Sequence, residues 1–205
     1  MLSAGAEPVN ARRVAWRYLL AVSGGSLAAL ALTAGALKLN PALPQELSAP
    51  MFWAREAFCA SLAMAGLVGT ARLARPGRPL GSVPVGIALP VIAMWALAAL
   101  SLHAAPPVAR ANLIFGHTAR VCPFLIAMIA LPVFVALVWV LRGLAPTRPR
   151  LTGAVAGLAA GSLGALAYSL HCPELAAPFI GIWYLLGITI CATLGAWAGT
   201  RLLRW

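Results

Sequence analysis

Six long apolar runs, joined by short polar connections, constrain this chain more than any other feature. They lie at about 17–37, 51–71, 83–102, 121–141, 151–170 and 178–200. A helix of about 20 apolar residues is long enough to cross the hydrocarbon core of a bilayer. Only helices and closed barrels satisfy their backbone polar groups in lipid, and these runs are too long for tilted barrel strands. The expected fold class is therefore all-α, an integral membrane bundle of six transmembrane helices. Composition agrees. Of 205 residues, 62% are hydrophobic and 9% charged, whereas soluble domains are about a quarter charged.

The net charge of +11 does not point to nucleic acid, because the bases sit in short clusters between apolar runs. Arg12, Arg13 and Arg17 precede or open the first run. Arg72, Arg75 and Arg78 follow the second, Arg142, Arg148 and Arg150 follow the fourth, and Arg201 and Arg204 follow the sixth. Against these stand only Lys38, Arg55, Arg110 and Arg120 on the other side. The positive-inside rule then places both termini in the cytoplasm. The chain divides into a cytoplasmic N-terminal segment, 1–16, and a six-helix transmembrane domain, 17–205. The connections on the basic side are short and rich in Arg and Pro. The longest outer connection, 103–120, is expected to hold a short surface helix after Pro107.

Small residues recur at four-residue spacing in the fifth run (Gly153, Gly157, Gly161) and the sixth (Gly195, Gly199). This spacing lets helix backbones approach closely in lipid. The centres of the runs lack ionisable groups, and Arg55 and Glu56 fall in the first turns of the second. Pumps and ion-coupled transporters keep such groups at mid-membrane. No phosphate loop, dinucleotide fingerprint, nucleophile elbow or Cys-x-x-Cys dithiol occurs. The pattern is that of a non-enzyme.

Reactive chemistry concentrates in two strings, Val121-Cys122-Pro123 and His171-Cys172-Pro173. One opens the fourth run and the other closes the fifth, so both belong to the outer face. Cys122 lies 24 residues before Pro146, in the intervening turn, and Cys172 lies 26 after it. At about 1.5 Å of rise per residue the thiols reach nearly the same height. Neighbouring helices stand about 8–10 Å apart, so facing cysteines are able to share a metal ion or, after a small adjustment, form a disulfide. Each Cys sits at a helix end beside a proline, where water is expected to reach it. His103, His117 and His171 share the outer side, with Glu174 two residues beyond Cys172. Cys122, Cys172, His171, His117 and His103 are thus candidate ligands for copper or another soft ion. No cofactor is obligatory on this reading, and a metal would bind transiently. His103 and His117 fit equally well as wetted edge residues, and Cys59 and Cys191 as small packing residues inside spans. A membrane thiol oxidoreductase or a metal transporter would use the same cysteines.

Several strings in order resemble one family. They are Arg72-Leu73-Ala74-Arg75-Pro76-Gly77, Arg120-Val121-Cys122-Pro123-Phe124, Leu144-Ala145-Pro146-Thr147-Arg148-Pro149-Arg150-Leu151-Thr152-Gly153, His171-Cys172-Pro173 and the terminal Arg201-Leu202-Leu203-Arg204-Trp205. Together they are similar to the NrsF family, the negative regulators of sigma factor F, over nearly the whole chain. The resemblance implies a six-span anti-sigma factor of the bacterial inner membrane. It would hold an extracytoplasmic-function sigma factor inactive and release it on heavy-metal or oxidative stress. It further implies that two periplasmic cysteines, here Cys122 and Cys172, do the sensing, and that the N-terminal segment holds the sigma factor. The partners implied are a sigma factor and the bilayer, with no direct contact to nucleic acid. About 16 residues precede the first run, fewer than the family leads one to expect, and residues 2–9 resemble the inner part of a longer tail. Arg12 and Arg13 are the candidate contacts to an acidic sigma surface.

Overall fold

The computed structural model describes residues 11–75 and 77–203. Most of the N-terminal segment, Pro76 of the second connection, and Arg204 and Trp205 lie outside them. Among the described residues the chain is helical, with no strand. Six helices are long and apolar enough to cross a membrane: Arg12–Leu37, Pro50–Leu73, Val83–Ala104, Cys122–Arg142, Pro149–Ser169 and Ala177–Leu202. The expected runs match these to within a few residues, except that the first helix starts earlier. It begins at Ala11, so Arg12 and Arg13 form its exposed first turn.

The long helices are α1 (Ala11–Leu32), α3 (Pro50–Leu73), α4 (Val83–Ala104), α6 (Cys122–Arg142), α7 (Pro149–Ser169) and α9 (Leu185–Leu202). Short helices α2 (Leu43–Glu46), α5 (Pro107–Phe115) and α8 (Ala177–Phe179) lie in or next to the connections. The expected surface helix after Pro107 is α5. Proline occupies the first turn of α3, α4, α6 and α7, where its missing N–H costs nothing and its fixed φ suits the helix.

Helix α7 is the centre of the bundle and its most buried span; α4 is the most exposed. Apolar side chains gain no hydrophobic stabilisation from leaving lipid for a helix interface, so close packing must hold helices together. The Gly/Ala-rich sequence of α7 supplies that. A Cβ added at Gly161 would stand 2.8 Å from Cβ of Cys191 on α9, and one at Gly164 would stand 2.9 Å from the backbone N of Ala130 on α6. Added Cβ atoms at Gly153 and Gly157 would collide with the backbone carbonyls of Gly195 and Cys191. On the other flank, a Cβ at Gly66 of α3 would stand 2.8 Å from Cα of Ala159. The glycine spacing thus serves contact within the bundle. Cys59 and Cys191 are buried in it as packing residues.

Two π-helical turns interrupt the long helices, at Thr33–Leu37 and Ile180–Tyr184. Such turns widen a helix and free backbone groups, and they often mark functional regions. The second leaves the Gly181 carbonyl to accept a 3.0 Å bond from the indole N–H of Trp95. Both turns lie at the end of the bundle that carries Cys122 and Cys172.

Candidate functional site: a buried thiol pair and its clamp

Cys122 is the first residue of α6 and Cys172 lies three residues past the end of α7. Both are free thiols, and both join the main buried cluster. They lie close enough to interact electrostatically, and the Tyr168 hydroxyl adjoins both. The equal-height expectation therefore holds. The expectation of water access does not: both thiols are 0% exposed. Being at a helix end sets height, but the side chain's direction sets burial. Cys122 turns inward, and the segment before it folds over Cys172, with the Thr118 hydroxyl 3.7 Å from its sulfur.

The loop bearing Cys172 is tied down on two sides. On one side Glu174 accepts a 2.6 Å bond from the backbone N–H of His117. Gly116, at φ +47°, lies under the same carboxylate: a Cβ there would stand 2.5 Å from the carboxyl carbon. Only glycine fits such a backbone and such an approach at low cost. On the other side the connection between α1 and α3 reaches across. The Asn40 N–H donates to the Leu170 carbonyl at 2.9 Å. Nδ1 of His171 meets the Lys38 carbonyl at 2.9 Å. A carbonyl only accepts, so Nδ1 is the donor in this contact.

Arg55 of α3 completes this second attachment. It is wholly buried. One terminal nitrogen, Nη1, donates to the carbonyls of Cys172 and Glu174 at 3.0 and 3.1 Å. The other, Nη2, donates to the carbonyl of Ser169 at 3.0 Å. Nε stands 3.4 Å from Glu56, and Glu46 stands 3.9 Å from Nη2. Ser169 ends α7, so its carbonyl has no partner within the helix, and the helix dipole makes that end partly negative. A guanidinium, planar and always charged, suits three converging carbonyls better than an ammonium does. Position along the chain puts Arg55 near the outer surface without indicating a role. The signal available was an arginine inside an apolar span, which by default marks function.

The histidines divide. His171 is half-buried with its ring 5.8 Å from that of Tyr168. His103, at the end of α4, and His117 are exposed. Among the described residues, no three His, Cys, Asp or Glu side chains gather to hold a metal ion, so the five candidate ligands are not assembled into one site. Their wide spread across α4, the segment after α5, and the loop after α7 is the reason. The hydroxyls of Tyr168 and Tyr184 are buried without a hydrogen-bond partner, their rings 5.8 Å apart. The immediate donor set beside the thiols is thus two sulfurs and an unpartnered phenol. It fits a soft ion of low coordination number, which takes thiolates, better than a four-coordinate zinc site. The same two thiols also fit disulfide chemistry.

These features define a class: a six-helix membrane-type bundle that buries a thiol pair at one end under a clamped loop. The chain belongs to the NrsF family, described as negative regulators of sigma F, whose pattern matches residues 2–205. It is 48% identical over 205 residues to the probable anti-sigma-F factor NrsF of Azospira oryzae, covering 100% of this chain and 96% of that protein. It is 38% identical over 205 residues to the anti-sigma-F factor NrsF of Caulobacter vibrioides, covering 98% and 92%. No solved structure matches the chain.

Proposed function

We propose that this protein is an inner-membrane anti-sigma factor that holds an extracytoplasmic-function sigma factor at the cytoplasmic face and releases it when Cys122 and Cys172 meet a heavy-metal ion or an oxidant. Family membership over the whole chain supports the anti-sigma role. The observation that carries the sensing role is the pair of buried thiols beside one phenol at the end of two neighbouring helices. Both termini lie in the cytoplasm on this reading, because the basic clusters demand it. Residues 1–16, with Arg12 and Arg13 at the start of α1, then meet an acidic face of the sigma factor.

A soft ion such as copper binds after the thiols lose their protons, and the His171 ring, 5.8 Å from that of Tyr168, is a neighbouring nitrogen donor. An oxidant instead takes two electrons, and the two thiols release two protons as their sulfurs join. Either event adds a bond between α6 and the loop after α7. The shift matters only if the stimulus binds one state better than the other. Small residues along α7 keep it in contact with α3, α6 and α9 over its length, so movement at the thiol end is carried to the turns at the opposite end.

The test is capture of a co-produced sigma factor by the full chain in membranes, before and after copper or diamide. Capture that ends on treatment, and persists in the Cys122→Ser, Cys172→Ser variant, is expected. A sigma factor that never co-purifies with the full chain would refute the anti-sigma reading. Copper uptake into proteoliposomes, or quinone-coupled thiol oxidation, would instead support a transporter or an oxidoreductase.

A further inference from the structure

The guanidinium of Arg55 is neither a thiol nor a candidate ligand, yet Arg55 is among the largest fully buried side chains of the described residues. Its hydrogen bonds run mainly to backbone carbonyls at the end of α7, at Ser169, and in the short loop that follows, at Cys172 and Glu174. That loop has no regular structure beyond the end of α7, and a helix end leaves its last carbonyls in need of donors. Two carboxylates, Glu46 and Glu56, flank the guanidinium and offset its burial. One side chain on α3 thus sets the position of the residue that carries the Cys172 thiol.

We propose that Arg55 is a positioning residue that keeps the Cys172 loop closed, and so sets how readily reagents reach the thiol. This deepens the sensing role and rests on that reading for its biological meaning, though not for its chemistry. When the loop is closed, Cys172 is sealed beneath Thr118 and beside Tyr168. When the three carbonyl bonds open together, the loop lifts and the thiol meets solvent. Modification of Cys172 traps the open state. Because Arg55 belongs to α3 and the thiols to the ends of α6 and α7, opening also frees α3 from the end of α7.

The test is the rate of maleimide labelling in the full chain in native membranes, read by mass spectrometry for Cys172 and Cys191 in the same molecule. Cys191 lies in the α7–α9 packing and reports global loosening. In Arg55→Gln, Cys172 is expected to label at least about tenfold faster, since 1.4 kcal/mol of closed-state stability is a factor of ten in the open population, while Cys191 stays at its wild-type rate. Arg55→Lys keeps the charge but not the fork and is expected to fall between the two. If Arg55→Gln does not accumulate in membranes, Arg55→Lys carries the test, with Cys172 still labelling faster than in the wild type. Cys172 labelling at the wild-type rate in the variant that accumulates overturns the proposal, as does a parallel rise at Cys191. Failure of sigma-factor capture would leave this labelling difference intact, so the two readings fail separately.

Discussion

The two ends of the bundle are built differently. At the thiol end, backbone carbonyls at the end of α7 and in the loop after it take bonds from Arg55 and Asn40, His171 of that loop reaches the Lys38 carbonyl, and the Glu174 carboxylate takes a bond from the His117 N–H. At the opposite end, among the described residues, side-chain bonds of another kind occur. Arg72 donates to the Leu80 carbonyl at 3.1 Å, and the Tyr18 hydroxyl donates to the Leu67 carbonyl at 3.0 Å while also pairing with Thr70. The lesson is one of division of labour. At the thiol end a guanidinium is held away from water by directional bonds to backbone carbonyls. At the opposite end Arg12 and Arg13 lie at the surface.

The largest expected effect comes from removing the chemistry at the locked end. Cys122→Ser with Cys172→Ser should abolish stress-induced release while leaving repression intact, as read by a sigma-dependent reporter. A normal response would erase the special status of that end. Next is the lock itself. Arg55→Ala leaves two buried carbonyls, one part-buried carbonyl and two flanking carboxylates uncompensated, and should cost about 3 kcal/mol of stability in detergent. Arg72→Ala at the other end loses one part-buried bond and should cost about 1 kcal/mol or less. Equal costs, measured by denaturation of the two variants, would break the comparison. Glu174→Gln keeps the shape but loses the charge that receives the His117 N–H. It should cost about 1 kcal/mol, with the α5–α6 segment gaining hydrogen exchange first. The smallest effect is expected at Tyr168→Phe. Its hydroxyl is buried without a partner, so removing it should leave stability unchanged or raise it by up to about 1 kcal/mol. A clear loss of stability would mean that the phenol is bonded to the thiols in the resting state.

Much of the architecture was legible in the order of residues. Hydropathy along the chain located all six spans, since a helix must satisfy its own backbone in lipid. The glycines of α7 and α9 announced close packing, because their spacing returns to one helix face. The early start of α1 was missed because Arg12 and Arg13 are polar, and hydropathy marks the lipid-facing stretch rather than the helix. The π-helical turns left no pattern that a helix would not also show.

What the sequence by itself determined is therefore the number of spans, the small-residue seam, and the common height of Cys122 and Cys172. These follow from properties with a fixed period or rise along one chain. Only the tertiary structure decided that both thiols are sealed, that the histidines do not gather with them, and that Arg55 holds their loop. The physical reason lies in what Arg55 binds. Its partners are mostly backbone carbonyls more than a hundred positions away. Every residue carries a carbonyl, so no pattern of side chains records which three will be left at a helix end for a buried cation to find.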